Sequence, residues 1–219
     1  MKRRYKRDPC LAHVACWIAS QGLRYRADKG QAERFLERLD AEAGYFSFRT
    51  FSDTAYTRSA AQDPLEKAIH GSLDACWKEL ETLNRQGAVV SVTINRTNGV
   101  GRGRADIDQV RALFVDDDKG GYSARFSLEP HIQVETSSGH HHYYWLVRNF
   151  PLQHFTSFQQ RLAKDYQCDT RVQTLNQSMQ LPGFWRRKRI TKPRLARLLV
   201  VRDHDPYQYY ELGKLVTLE

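Results

Sequence analysis

The chain has 219 residues, of which 41% are hydrophobic and 27% charged, proportions typical of a globular protein rather than a membrane-embedded or fibrous one. Lys and Arg outnumber Asp and Glu by 34 to 25, and the resulting net charge of +9 favours a polyanionic partner, above all nucleic acid. The four cysteines lie far apart without a CxxC pair, which argues against a structural zinc site and a disulfide framework and favours a reducing cytoplasm.

The N-terminus combines a basic start, Met1–Arg7, with an apolar run at Leu11–Ala19, an order that secretory signals also use. His13 interrupts this run and no small-residue cleavage site follows it, so an amphipathic helix is the better interpretation. No segment approaches the roughly 20 apolar residues of a membrane span. We therefore expect a cytoplasmic protein without a membrane partner.

Apolar spacing predicts three further helices. Asp28 and Gln31 form a capping box at the start of the first, which should run to residue 43. The second begins at Ser72 and ends at Gly87, and the third covers Leu152–Tyr166.

Alternating or β-branched runs predict six strands, at Tyr45–Asp53, Ala88–Asn95, Leu113–Asp118, His131–Thr136, His141–Val147 and Arg197–Arg202. Strands separated by helices in this order indicate an α+β domain with a mostly antiparallel sheet. Between the second and third strands lies Arg96–Arg104, with three glycines and three arginines but no Walker or dinucleotide signature. It is either a mobile solvated loop or an arm that contacts phosphates.

The most informative stretch is Leu113–Asp118, in which three hydrophobic residues run directly into three carboxylates. Side chains of a strand alternate between faces, so Asp116 and Asp118 point the same way, roughly 6–7 Å apart along the backbone. Two such carboxylates repel each other unless a cation lies between them, and hard ions such as Mg²⁺ prefer these ligands. A bulge would bring in Asp117 instead, and a solvated acidic turn is the ordinary alternative.

A histidine cluster begins the fifth predicted strand. If Ser138 and Gly139 form a turn, three side chains share one face of that strand: His140, His142 and Tyr144. Imidazole and hydroxyl groups beside a carboxylate-bearing strand are suited to holding a phosphate group. By itself the histidine triplet could equally be a surface cluster or an incidental metal binder.

The last polar elements follow the third helix. Asp169 adds a third carboxylate, although a single Asp after a helix is usually a cap or a loop residue. The run Trp185–Arg189 contains three arginines and a lysine, which would be a solvated segment in most proteins. Together with the two earlier stretches, these residues complete an acidic cluster and a cationic surface.

Taken in order, these residues resemble the RepB-type plasmid and phage DNA primases, a branch of the archaeo-eukaryotic primase (AEP) superfamily of primase-polymerases. Phe114–Asp118 is similar to the family's hydrophobic-Asp-x-Asp motif, Thr136–Trp145 to its small-residue/His motif, and Asp169 to its late acidic motif. Leu181–Phe184, followed by Lys188, is similar to the family's LPG-x-x-x-x-K stretch.

The resemblance spans roughly residues 45–202 and implies an α+β AEP core, an RNA-recognition-motif-like sheet flanked by helices. The implied divisions are an N-terminal helical segment packed on the core (1–43), the primase catalytic domain (44–205) and a C-terminal helix that could open a further domain (206–219). The expected setting is the cytoplasm of a prokaryote, with a plasmid or phage as the genetic source.

The activity that the resemblance implies is template-directed nucleotidyl transfer that makes short primers. Asp116, Asp118 and Asp169 would hold two divalent ions, Mg²⁺ or Mn²⁺, about 3.5–4 Å apart. The expected partners are a single-stranded DNA template and nucleoside or deoxynucleoside triphosphates, with a replicative helicase or an initiator as further candidates.

The remaining site residues fall into two groups. Those expected to contact the nucleotide are Ser138, His140, His142, Arg186 and Lys188. A template groove needs basic residues and aromatic rings on which bases stack, and its candidates are Arg102, Arg104, Trp185, Arg187 and Arg189. Such binding should weaken steeply with salt.

One position departs from the family pattern, because Gln180 stands where Arg is expected before Leu-Pro-Gly. Glutamine offers no charged fork to phosphate. Either Arg171, Arg186 or another basic residue compensates, or nucleotide affinity is reduced, or the alignment slips at this point.

Two other functions compete with this interpretation. A rolling-circle HUH nickase or relaxase would use the His140–His142 cluster and a C-terminal tyrosine, one of Tyr207, Tyr209 and Tyr210. The middle residue of a HUH histidine pair should be hydrophobic, however, and here it is a histidine. The Asp-x-Asp strand would also have no role in such an enzyme. The other is a replication initiator that binds DNA on a primase fold without catalytic activity. Alanine at Asp116 and Asp118 distinguishes an active primase from the inactive initiator, since only the primase would lose primer synthesis.

Overall fold

The computed structural model of the chain describes residues 25–53, 63–118, 126–188 and 192–216. The predicted amphipathic helix at Leu11–Ala19 lies outside these ranges. Within them the α-helices are α1 (Lys29–Leu39), α2 (Leu73–Arg85) and α3 (Phe155–Asp165), and short 3₁₀ helices cover Arg104–Asp106, Leu152–His154 and Tyr209–Lys214.

The three predicted helices are confirmed, and two of them begin at the predicted capping residues. The carboxylate of Asp28 accepts hydrogen bonds from the backbone and side-chain N–H groups of Gln31 at the start of α1. Ser72 caps α2, and Gly87, with φ of 106°, stops it where the sequence predicts. Helix α1 ends earlier than predicted because Asp40 takes an extended conformation.

The strands in chain order are β1 (Phe46–Ser52), β2 (Lys67–Gly71), β3 (Ala88–Thr93), β4 (Arg96–Thr97), β5 (Ile107–Gln109), β6 (Ala112–Asp117), β7 (Ile132–Ser137), β8 (His140–Arg148), β9 (Ser178–Gln180), β10 (Trp185–Arg186), β11 (Arg194–Leu195), β12 (Arg197–Val201) and β13 (Tyr207–Gln208). All six predicted strands are among them. The others are mostly two or three residues long, too short for an alternating pattern to reveal them.

Two sheets organise the fold. The first sheet has the order β2-β1-β3-β9, and every pairing in it is antiparallel. The second sheet is centred on β8, with β7 and then β12 on one side and β6 on the other, all antiparallel. Only β13, at the far end of β8, pairs in parallel. The predicted α+β class with a mostly antiparallel sheet is therefore confirmed.

The helices cover these sheets and join one hydrophobic core. Helix α2 packs on β1, β2 and β3 of the first sheet, whereas α3 packs on β6 of the second. Phe35 of α1 meets Tyr144 of β8 edge to face at 5.3 Å, and Phe155 of α3 lies 5.9 Å from Phe114 of β6. The strand that precedes the acidic residues is thus held between packed aromatic rings.

Strand β12 is only partly buried, because it lies at the edge of the second sheet. The predicted C-terminal helix is instead β13 followed by a 3₁₀ helix, whose Leu212 is completely buried. The glycine-rich stretch Arg96–Arg104 includes β4 and is ordered by Asp106, whose carboxylate accepts hydrogen bonds from the Gly103 N–H and the Asn98 amide.

Among residues 25–53, 63–118, 126–188 and 192–216, no helix has the length and apolar character that crossing a lipid bilayer requires.

Candidate active site

Strands β6 and β8 bring the acidic stretch and the histidine cluster side by side. Their antiparallel register places Asp116 opposite His142 and Asp117 opposite His141. Because side chains alternate along a strand, Asp116 and Asp118 share one face, while Asp117, only 1% exposed, turns to the other. The geometry therefore favours Asp116 and Asp118 over Asp117 as the paired carboxylates.

Asp169 reaches the same edge through backbone hydrogen bonds. Its N–H donates to the C=O of Asp116 at 3.0 Å, so the segment after α3 runs along the side of β6 that faces away from β8. One residue earlier, the N–H of Cys168 donates to the C=O of Ala163 at 2.9 Å and fixes how the chain leaves α3. The third carboxylate is thus positioned by the main chain.

A buried glutamine completes this edge. Gln159 of α3 is 0% exposed, and its amide accepts from the N–H of Phe114 at 3.1 Å and donates to the C=O of Phe114 at 2.8 Å. The same amide donates to the C=O of Val172 at 3.2 Å, beyond Asp169. Gln159 therefore takes the place of a neighbouring strand. Sequence analysis missed it, although a polar residue in the apolar stripe with Phe155 and Leu162 was the available signal.

The three carboxylates converge. Asp116, Asp118 and Asp169 each offer an oxygen, and these oxygens lie within 4.8 Å of one another. Asp116 and Asp169 are the less exposed members, with side chains 22% and 15% exposed against 54% for Asp118. The buried Oδ1 of Asp116 has no hydrogen-bond donor among the described residues. Three acidic oxygen donors that converge in this way fit a hard divalent cation.

The two histidines face these carboxylates. His142 Nε2 lies 3.6 Å from Asp116 Oδ1, and its Nδ1 contacts the hydroxyl of Tyr144 at 3.1 Å. His140 Nδ1 lies 3.1 Å from Asp118 Oδ1. Burial alone would raise the pKa of Asp116, but the imidazole of His142 outweighs it and the pKa is lowered. The pKa of Tyr144 is raised by burial and by Asp116, so its hydroxyl keeps its proton and can orient His142.

Asp169 carries an ion pair that the sequence did not indicate. Arg171 donates from Nε to Oδ1 at 3.0 Å and from Nη2 to Oδ2 at 2.7 Å. These hydrogen bonds lower the pKa of Asp169. The Arg171 side chain is 84% exposed, so a guanidinium covers the outer side of the acidic cluster.

Around Gln180 the structure supplies a different cation. Arg186 Nη1 donates to Gln180 Oε1 at 2.8 Å, while its Nε lies 3.2 Å from both carboxylate oxygens of Asp53. Asp53, 3% exposed, also accepts a hydrogen bond from the backbone N–H of Arg187. A guanidinium therefore stands beside Gln180, held by an acidic residue that sequence analysis did not assign to the site.

The predicted template residues of the β10–β11 hairpin do not all face outward. Arg187 is only 3% exposed and donates to the C=O of Arg85 at 2.6 Å, so this side chain braces the fold rather than offering a contact to DNA. Trp185 is half-buried and donates from Nε1 to the C=O of Arg26 at 2.8 Å. Arg189 lies outside the described residues, whereas Lys188 is exposed.

The other predicted residues occupy two exposed turns. Ser138 lies on the β7–β8 turn, where Gly139 has φ of 77°. Arg104 is exposed and Arg102 partly buried near the β4–β5 hairpin, and the C=O of Arg102 accepts from Asn176 Nδ2 at 3.1 Å. Burial lowers the pKa of Arg102, which still remains far above neutrality.

The geometry contradicts the nickase alternative. Tyr207 pairs with Val147 at the far end of β8 from His140, roughly 20 Å away at about 3.3 Å per residue. Tyr209 contacts His154 at 2.8 Å, and Tyr210 is 82% exposed. The tyrosines and the histidine cluster therefore belong to opposite ends of the sheet.

Three carboxylates gathered at one edge of an antiparallel sheet are the arrangement that a metal-dependent phosphoryl-transfer enzyme uses. The sequence model of the RepB DNA-primase N-terminal domain matches residues 84–217, more than half of the chain, and the chain therefore belongs to this family of DNA primases. The family assigns it to nucleotidyl transfer in DNA replication and confirms the resemblance inferred from sequence. A search of curated proteins found no match.

Solved structures share the fold. The AEP domain of the cyanophage S-2L primase-polymerase matches with a TM-score of 0.69 and 18% identity, over 87% of this chain and 99% of that one. The primase RepB′ matches with a TM-score of 0.57 and 18% identity, over 81% of this chain and 57% of its own. The RepB′ catalytic domain in complex with initiator DNA matches with a TM-score of 0.55 and 16% identity, over 81% and 86%.

Proposed function

We propose that this chain is the catalytic core of a primase or primase-polymerase that makes short primers on single-stranded DNA for plasmid or phage replication. The observation that carries the proposal is the convergence of Asp116, Asp118 and Asp169 within 4.8 Å in a chain of the RepB primase family. In the reaction a 3′-hydroxyl attacks the α-phosphate of the incoming nucleotide, a new phosphodiester bond forms, and pyrophosphate leaves.

The three carboxylates are the residues that would hold the divalent ions, two Mg²⁺ or Mn²⁺. Their carboxylate oxygens suit these ions, which prefer oxygen ligands. When bound, such ions lower the pKa of the attacking hydroxyl and neutralise charge on the phosphates.

The neighbouring side chains are proposed to bind the nucleotide. His142, oriented by Tyr144, and His140 lie beside the carboxylates and can donate to phosphate oxygens. Ser138 adds a hydroxyl at the adjoining turn. Arg186 and Lys188 are proposed to offset the charge that develops on the leaving pyrophosphate.

A groove next to the β7–β8 turn is the proposed path of the template. Its cavity of about 290 Å³ is lined by Ser137, Ser138, Trp185, Arg194 and Arg197, among others. Arg197 is paired with Glu135 at 2.6 Å, so the indole of Trp185 and the guanidinium of Arg194 are the groups that suit the stacking and phosphate contacts of a single strand. Arg102 and Arg104 are further candidates. The RepB′ catalytic domain, a structural neighbour, has been solved with initiator DNA, which supports a DNA-binding role here.

De novo synthesis on single-stranded DNA tests the proposal. With Mg²⁺ or Mn²⁺ and labelled ribo- and deoxyribonucleotides, the wild type should make short products, and D116N should lose about a thousandfold or more of this activity. D74N, which removes an exposed carboxylate of α2, is the matched control and should stay active.

Binding of labelled single-stranded DNA, measured without metal, separates enzyme from binding module. We expect D116N and D118N to bind as tightly as the wild type or more tightly, because each removes a negative charge. Wild-type protein that binds DNA but incorporates no nucleotide with either metal would favour the inactive initiator instead.

A further inference from the structure

Arg171 binds Asp169, the carboxylate of the cluster that lies outside the sheet and is positioned by the main chain. Both oxygens of Asp169 accept hydrogen bonds from its guanidinium, at 3.0, 3.1 and 2.7 Å, and the backbone N–H of Arg171 adds one to Oδ1 at 2.9 Å. An oxygen of Asp169 lies within 4.8 Å of oxygens of Asp116 and Asp118, so the guanidinium bound to Asp169 stands next to the whole cluster. A divalent ion at Asp169 would meet this positive charge directly.

The ion pair between Arg171 and Asp169 is easily broken. The Arg171 side chain is 84% exposed, and among the described residues only Asp169 accepts from it. The Asp169 side chain is only 15% exposed, but ion pairs at the protein surface contribute little, because water solvates the released guanidinium once the pair separates. Divalent ions bound by three carboxylates can therefore displace the guanidinium.

The displaced group would remain close to the reacting phosphates. Arg171 is tethered two residues from Asp169, and its backbone hydrogen bond to the carboxylate does not depend on the side chain. A guanidinium is a planar fork whose donors match phosphate oxygens in pairs. The same charge that offsets the carboxylates before metal binding can then contact the triphosphate.

We propose that Arg171 is a displaceable counter-ion, which neutralises Asp169 until divalent ions bind and then turns to the phosphate oxygens of the nucleotide. This inference rests on the proposed function, since it needs both a metal and a nucleotide at the site. Arg171 thereby couples metal binding to nucleotide binding.

Two binding constants of Arg171→Gln test this coupling. Without nucleotide, Mn²⁺ binding followed by the electron paramagnetic resonance signal of the free ion should tighten about two- to fivefold, because a competitor has been removed. With saturating Mn²⁺, calorimetric binding of an α,β-methylene nucleoside triphosphate should weaken about tenfold, because a charged hydrogen bond is lost. Opposite changes in the two constants are the signature.

Two further variants sharpen the result. Arg171→Lys keeps the charge but loses the fork, so both constants should move in the same directions by smaller factors. Arg161→Gln breaks an Arg–Asp pair on α3, with Nε 3.1 Å from Asp165, and should leave both constants unchanged.

The inference is overturned if Mn²⁺ binds R171Q no more tightly than wild type, since Arg171 would then support Asp169 rather than compete at it. Unchanged nucleotide affinity in both Arg171 variants would overturn it too. Failure of the proposed function itself looks different: wild-type protein would bind no Mn²⁺, or D116N would bind it equally well.

Discussion

The acidic edge of the second sheet and the basic β10–β11 hairpin are held in place by different forces. At the acidic edge, a backbone hydrogen bond joins Asp169 to Asp116, and the Gln159 amide ties the flanking chain to β6. At the hairpin, Arg186 depends on the carboxylate of Asp53. The acidic edge is therefore held in place without its carboxylates, whereas the basic side chains are themselves part of the internal contacts.

The largest loss of stability is expected at Gln159, whose amide supports the acidic edge. Gln159→Leu keeps the size of the side chain but leaves the N–H and C=O of Phe114 and the C=O of Val172 without their buried partner. At about 1–3 kcal/mol for each unsatisfied group, the free energy of unfolding in urea should fall by about 4 kcal/mol.

Gln160→Leu is the control for this change, because Gln160 is the next residue along α3 and its side chain is exposed. This substitution should shift the free energy of unfolding by no more than about 0.5 kcal/mol. Equal stabilities of Q159L and Q160L would show that the edge of β6 does not need the glutamine amide.

A smaller loss is expected at the basic hairpin. Asp53→Asn removes the charge that holds Arg186 and weakens the acceptor of the Arg187 N–H. Breaking a fully buried pair costs about 3–5 kcal/mol, and since Arg186 is partly exposed we expect about 2 kcal/mol, together with weaker binding of nucleotide.

Asp74→Asn breaks an exposed pair with Lys29 and serves as the comparison for stability. If D53N and D74N unfold at the same urea concentration, the hairpin is not anchored by Asp53. If only the nucleotide affinity of D53N falls, Asp53 orients Arg186 without supporting the fold.

The far end of the second sheet provides a pH-dependent test. His131 is 0% exposed and accepts from the Leu146 N–H at 3.0 Å, and its Nε2 lies 3.0 Å from the C=O of Asp205. Burial lowers the pKa of His131 to about 3, with contributions from His204, Arg38 and Arg202.

Because the unfolded chain takes up a proton near pH 6.5 and the folded chain only near pH 3, His131 makes the protein lose stability as the pH falls through this range. Between pH 7 and pH 5 this loss should amount to about 1–2 kcal/mol. His131→Asn can still accept from Leu146 but does not titrate, so its unfolding free energy should vary less with pH. A pH dependence identical to that of the wild type would exclude a buried neutral His131.

The acidic edge was largely predictable because local rules determine it. Alternation along β6 placed Asp116 and Asp118 on one face. The register with β8, which puts His142 opposite Asp116, was not predicted. Those rules say nothing about Asp169 and Gln159, which reach β6 through contacts between distant parts of the chain. The family resemblance, rather than spacing, indicated Asp169.

The basic side was harder to predict because a run of cations does not reveal which of them are neutralised inside the fold. The sequence predicted a ligand-binding surface at Trp185, Arg186 and Arg187. In the structure, Arg187 is buried and Arg186 is paired with Asp53. The ion pair of Arg171 with Asp169 was equally hard to predict, because charges two residues apart in the sequence do not specify where their side chains point.

The most direct test is a crystal structure of the protein with Mn²⁺ and a non-hydrolysable nucleoside triphosphate, with anomalous diffraction recorded at the manganese edge. We expect manganese bonded to carboxylate oxygens of Asp116, Asp118 and Asp169, with the triphosphate beside His142. Manganese bound elsewhere, or at Asp116 and Asp118 while Asp169 still holds Arg171, would contradict the account.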